Sequence, residues 1–343
     1  MLARNLLFAA GDQQQFVAFA SSGSPYIDVY NWSDSGFGTK SSNPGTLPAA
    51  GANGVAFSPA CDAIAVAHVN SPYVTAYPWS SSGFGTKFSN PGTLPTGTGR
   101  AVAFSPDGSA IAVAHDTSPY ISAYPWSGSG FGTKFTNPGT LPTGNGAGVA
   151  FSPDGAAIAV GHVTSPYISA YPWSGSGFGS KFSNPGTLPT GYCPGVAFTP
   201  SGDAIAVAHI TSPRVSAYPW SGSGFGSKFT NPGTLPTGDG NSVAFTPSGD
   251  AIAVAHATSP YVSAYPWSGS GFGTKFSNPG TLPPGTGLGV AFSKSGTAVA
   301  VARGTSSPYI DVYPWSGSGF GSRFSNPGTA PTGTTNGVAF GVL

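Results

Sequence analysis

Short apolar stretches alternate along the chain with clusters of Gly, Pro, Ser and Asn, and residues 101–147 show the pattern most clearly. Inside the stretches the period is two: Ala110, Ala112 and Ala114 point to one side of an extended backbone, Ile111, Val113 and His115 to the other. Ser-Pro-Asp-Gly, Thr-Ser-Pro, Ser-Gly-Ser-Gly and Asn-Pro-Gly separate them, all turn-forming texts. The pattern predicts four strands, a over 102–104, b over 110–115, c over 120–124 and d around 131–135. Gly and Pro at this density leave no room for a helical period.

The unit repeats. Trp32, Trp79, Trp126, Trp173, Trp220, Trp267 and Trp315 stand 47 residues apart five times and 48 once, with nearly the same text around each. A helix-free period of roughly 40–50 residues is the mark of a four-stranded propeller blade. The predicted fold is therefore all-β: a seven-bladed β-propeller, four antiparallel strands per blade. Strand b offers a smooth alanine face on which a neighbouring blade can lay Val, Ile and aromatic side chains. Residues 337–343, GVAFGVL, repeat the strand-a text without b, c or d behind it. Residues 16–20 align with strand b and 26–30 with strand c. The C-terminal strand is thus expected to close blade 1 as its innermost strand and remove the open edge. Residues 1–14 become an N-terminal extension or added strand, and 15–343 a single propeller. The competing register, with residues 6–10 as strand a, leaves GVAFGVL unpartnered.

Composition changes meaning on this grid. Gly 52 and Pro 34 would suggest disorder in an aperiodic chain, but here they fall at turns and strand edges. There is no Glu, and a formal net charge of +1 excludes a polyelectrolyte tail and charge-driven nucleic-acid binding. No apolar run approaches the ~18 residues of a membrane helix, and residues 6–10 are short for a signal peptide. Neither membrane insertion nor a cleaved leader is expected.

The text VAFSPDGSAIAVAH resembles the WD40 repeat across strands a to c of all seven units. The resemblance implies a propeller serving as a platform for partners, not a particular activity. The chain departs from that family: Ser follows every Trp, no Gly-His pair precedes strand a, and the turn Asp before strand c occurs only as Asp116. The second half, YPWSGSGFGTKFSNPGTLP, resembles repeats of tailed-phage propeller proteins, which implies a virion component.

Candidate sites fall at fixed repeat positions. Lys40, Lys87, Lys134, Lys181, Lys228, Lys275 and Arg323 are seven of the twelve cations. They form either a basic girdle for an acidic partner or, more simply, protection of the outermost strand against edge pairing. His68, His115, His162, His209 and His256 share another position, with Ser21 and Arg303 in the remaining units. Blades about 10 Å apart cannot bring them together on a metal needing nitrogen at about 2 Å, so they are read as hydrogen-bonding residues of the b to c turn, with pH sensing as the alternative. The Gly-rich text before Thr-Lys lies between strands and does not fit a phosphate loop. Trp79, Phe84, Trp126, Phe131, Trp173, Phe178, Trp220, Phe225, Trp267 and Phe272 either flank sugar-stacking grooves or fill the wedge between blades. Asp28, Asp311 and Arg303 lie in units 1 and 7, neighbours once the ring closes, as a docking seam or a closure feature. Arg214 replaces a Tyr in unit 5, and Tyr192-Cys193 lead into it. Cys61 and Cys193 are expected on opposite faces as free thiols.

Most Asp residues, such as Asp107, Asp154, Asp203 and Asp250, fall in a to b turns, and no carboxylate pair or metal cluster can be assembled. No cofactor or metal is expected. The resulting expectation is a non-enzymatic assembly module with protein partners, favoured as a virion component. A multivalent lectin for surface glycans is the runner-up and an intracellular scaffold the third reading.

Overall fold

A computed structural model describes residues 13–343. Seven four-stranded antiparallel sheets, with no helix among the described residues, make a seven-bladed β-propeller. In blade 3, strand a is Gly99–Phe104, b is Ala110–His115, c is Ile121–Ser127 and d is Gly130–Phe131. Strand b matches its prediction, whereas c runs further and d is much shorter. Proline is the reason. The Pro125 carbonyl accepts the Gly132 N–H at 2.8 Å, but Pro125 has no N–H to return, so the outer ladder stops. Blade 1 carries Asn31 at this position, and there strand d extends over Gly36–Lys40.

Ring closure follows the predicted route. The C-terminal strand Thr335–Val342 pairs antiparallel with Gln15–Ser21, followed outward by Ile27–Ser33 and Gly36–Lys40. Residues 6–10, and with them most of the expected extension, lie outside the described residues.

Each interface between blades repeats one packing unit. Ala63, Ala65 and Ala67 of blade 2 receive Val102, Phe104, Ile111, Val113, Tyr124 and Trp126 of blade 3. The smooth alanine face lets the bulkier one approach at close-packed density. The last unit joins Ala298, Ala300 and Ala302 of blade 7 to Val17, Phe19, Trp32 and Phe340 of blade 1, so the apolar ring is continuous through the closure.

Candidate functional site

The seven a strands surround a central channel. Its upper mouth, on the face of the b to c turns, is a ring of Asn53, Arg100, Ala147, Pro194, Asn241, Leu288 and Asn336. Below lie Gly54, Ala101, Gly148, Gly195, Ser242, Gly289 and Gly337, then one Val from each blade, enclosing about 220 Å³. The small second tier is a steric requirement: a Cβ on Gly148 would sit 2.7 Å from the Pro194 carbonyl oxygen. Three asparagines lock neighbouring blades at the mouth. Asn53, Asn241 and Asn336 each donate Nδ2 to a carbonyl of the next blade, on Gly99, Gly287 and Ala52, at 2.8 Å.

Arg100 is the one charged side chain in that ring. Its Nη2 lies 3.1 Å from Oδ2 of Asp116 on the adjoining b to c turn. Tyr192 precedes the channel-lining Pro194; burial pushes its phenol above the ordinary value, and the positive charge of Arg100 opposes that shift. A second ion pair, Arg214 with Asp239, sits on the same face between blades 5 and 6. Two arginines and two aspartates therefore balance there.

Sequence reasoning placed the histidines, the seam residues and the cation girdle in separate groups, but they occupy one constellation per blade. In blades 2 to 6 the fully buried histidine is the last residue of strand b or, for His209, the residue just past it, and its Nε2 meets a Ser or Thr hydroxyl on strand c at 2.8–3.1 Å. His209 Nδ1 also meets the Thr211 carbonyl at 2.7 Å, so it carries the ring proton and Nε2 accepts from Ser216. Burial, aided by the girdle lysine of the same blade, pushes all five imidazoles down to about 4. Lys134, Lys181, Lys228 and Lys275 are half-buried and reach the Asn three residues on, as Lys87 does at 2.6 Å.

At the same three positions blade 7 carries Arg303, Asp311 and Arg323, and blade 1 carries Ser21, Asp28 and Lys40. Asp28 receives Lys40 at 2.9 Å and the Ser21 hydroxyl at 3.4 Å. Asp311 receives Arg303 Nε at 2.5 Å and Arg323 Nη1 at 2.7 Å, and Arg303 also caps the Thr305 and Ser306 carbonyls. Burial pushes both carboxyls upward, and the cations oppose it. With Asp28, Asp311 and Arg303 at most 1% exposed, these residues offer no outward docking surface.

The aromatic set does not form open grooves. The seven Trp are only 3–8% exposed. Trp126 meets Phe131 and Phe104 of its own blade and Phe88 of the preceding one edge-on at 5.1–5.2 Å, filling the wedge between blades. On the lower face Asp62, Asp107, Asp154, Asp203 and Asp250 each accept a Ser or Thr hydroxyl within their a to b turns. Cys61 and Cys193 are free and buried. A larger cavity of about 1010 Å³, lined in part by Gln15, Trp32, Asp34 and Lys294, opens at the lower end of blade 1, where its two inner strands come from opposite ends of the sequence and no a to b turn joins them; it reaches Gln13, where the described residues begin. Among the described residues no group of three or more His, Cys, Asp or Glu could hold a metal ion.

No protein-family model and no curated protein sequence matches the chain. Solved structures do. A candidate 6-phosphogluconolactonase from Bacteroides fragilis superposes with a TM-score of 0.77 at 12% identity, covering 97% of this chain and 99% of that one. A second from Bacteroides uniformis gives 0.74 at 14%, covering 96% and 100%. The periplasmic gluconolactonase of Pseudomonas aeruginosa gives 0.75 at 16%, covering 96% and 98%. At these identities the likeness establishes the fold. It also corrects the expectation of a non-enzymatic assembly module or lectin, since these propellers of the same shape are named as enzymes, and the expected phage kinship finds no support among them. The sequence shows Asp116 only as a turn residue and gives no sign of Arg100, because both stand at positions that vary from blade to blade.

Proposed function

We propose that the protein is a lactonase-like hydrolase acting on an uncharged sugar lactone at the upper mouth of the channel. The observation that carries this reading is the Arg100–Asp116 pair, the one place where a charged side chain enters the channel ring. The whole-chain likeness to propellers named as lactonases supports it. In this reading Asp116 takes a proton from water as the oxygen attacks the lactone carbonyl, and the Arg100 guanidinium faces the oxyanion. Collapse breaks the ring C–O bond and the proton passes to the departing alkoxide, giving the open hydroxy acid. The balanced charge of the upper face favours a neutral lactone: among the described residues, Arg100 and Arg214 on that face each already meet an aspartate, so neither is spare to hold a phosphate group. The test is steady-state lactone hydrolysis by Arg100→Ala and Asp116→Asn. Each is expected to lower kcat/KM about 100-fold or more, and unchanged rates in both would remove the pair from the mechanism.

A further inference from the structure

We propose that the five histidines form an acid-sensitive latch around the channel mouth: protonation releases the b to c turns of blades 2 to 6 while blades 1 and 7 stay closed.

The placement couples the imidazoles to the mouth. Four of the histidines end strand b opposite the first residue of strand a, in the pairs Ala52 with His68, Gly99 with His115, Gly146 with His162 and Gly240 with His256, and His209 follows directly on Ala208, the last residue of its strand. Those two partners supply the carbonyls that accept the Asn336 and Asn53 locks. At His68 and His115 only one residue therefore separates the buried imidazole from the contact that holds adjoining blades together, whereas the third lock, on Gly287, lies opposite Arg303.

The surroundings favour the neutral ring. The histidines are 0% exposed and already hydrogen-bonded through Nε2. The charged groups acting on them are Lys87 on His68, Lys134 and Asp116 on His115, Lys181 on His162, Lys228 and Arg214 on His209, and Lys275 on His256. Only His115 has an acidic neighbour in that set; elsewhere an imidazolium would be buried beside like charge. Burial and those cations hold the rings down to about 4, well below the ordinary value, so weak acid favours the open turn, where a ring can take up a proton. Blades 1 and 7 have Ser21 and Arg303 instead, each facing a buried aspartate, and neither carries an imidazole at this position. Asymmetry is thus built in at the closure.

Native-state hydrogen exchange of the full chain at pH 7.5 and 5.5, corrected for intrinsic rates, tests the proposal. The b to c turn amides of blades 2 to 6 are expected to lose at least tenfold protection and those of blades 1 and 7 to change less than twofold. No change, or equal loss in all seven blades, overturns it. Ser122→Asp gives blade 3 the carboxylate found in blades 1 and 7. Its turn should then keep protection at pH 5.5 while blades 2, 4, 5 and 6 lose theirs, and loss in blade 3 equal to its neighbours also overturns the latch. The chain's five histidines all belong to this tier. Their imidazole NMR signals therefore report it without assignment, and five rings titrating near pH 6.5 in a fully protected protein would contradict it.

Discussion

Asn336 donates its Nδ2 to the carbonyl oxygen of Ala52 at 2.8 Å, joining two residues 284 positions apart in the chain. The bond fastens the clasp strand of blade 1 to blade 2, the same contact that Asn53 makes between blades 2 and 3. Asn336→Ala removes one hydrogen bond and leaves a carbonyl at the mouth without its partner. The expected loss is about 1–2 kcal/mol in urea unfolding, with Asn53→Ala and Asn241→Ala similar. A neutral Asn336→Ala would mean that backbone pairing alone fastens the ring.

Removal of residues 335–343 deletes the innermost strand of blade 1 and uncovers Val17 and Phe19, which are 0% exposed. The truncated chain is expected to lose its cooperative unfolding transition and to associate through the bared edge of Gln15–Ser21. Size-exclusion chromatography with circular dichroism checks this, and a stable monomer with native spectra would show that the clasp is dispensable.

Trp126→Ala empties a wedge shared by blades 2 and 3 and should destabilise the protein by about 3–5 kcal/mol. Since all seven indoles are buried, tryptophan emission should resist quenching by iodide. Efficient quenching would return these residues to the surface.

Stability should fall as the pH drops from about 6.5 toward 4. The unfolded chain takes up protons on histidine near pH 6.5, whereas the folded rings hold out to about 4, so acid favours the unfolded state across that window. Five such groups together give a slope of up to about 7 kcal/mol per pH unit, steep against a typical domain stability of about 5–15 kcal/mol. Asp28 and Asp311 act in the opposite direction, because burial raises their proton affinity in the fold. Urea midpoints measured every half unit check the sign, and a flat profile between pH 6.5 and 5 would contradict it.

Most of the fold was legible because the chain states it seven times. The period, the alanine face of strand b and the strand-a text at the C-terminus together specify blades, packing and closure, as the pairing of Thr335–Val342 with Gln15–Ser21 bears out. Strand d was misjudged because the effect of Pro125 depends on which side of strand c its missing N–H faces. The candidate site was harder to see for the opposite reason. Repetition directs attention to positions that recur, whereas Arg100 and Asp116 stand out by not recurring, and their pairing needs the a and b strands of blade 3 side by side. The histidine, girdle and seam residues were each noticed, yet their union into one constellation appears only when the register of strands b, c and d is known.

Proton release followed in a pH-stat tests the central claim most directly, with gluconolactone and its phosphorylated counterpart offered at equal concentration and spontaneous hydrolysis subtracted. The account predicts enzyme-dependent hydrolysis of the uncharged lactone, at least tenfold faster than of the phosphorylated one and abolished in Asp116→Asn. Background rates for both lactones, or preference for the phosphorylated substrate, would contradict it.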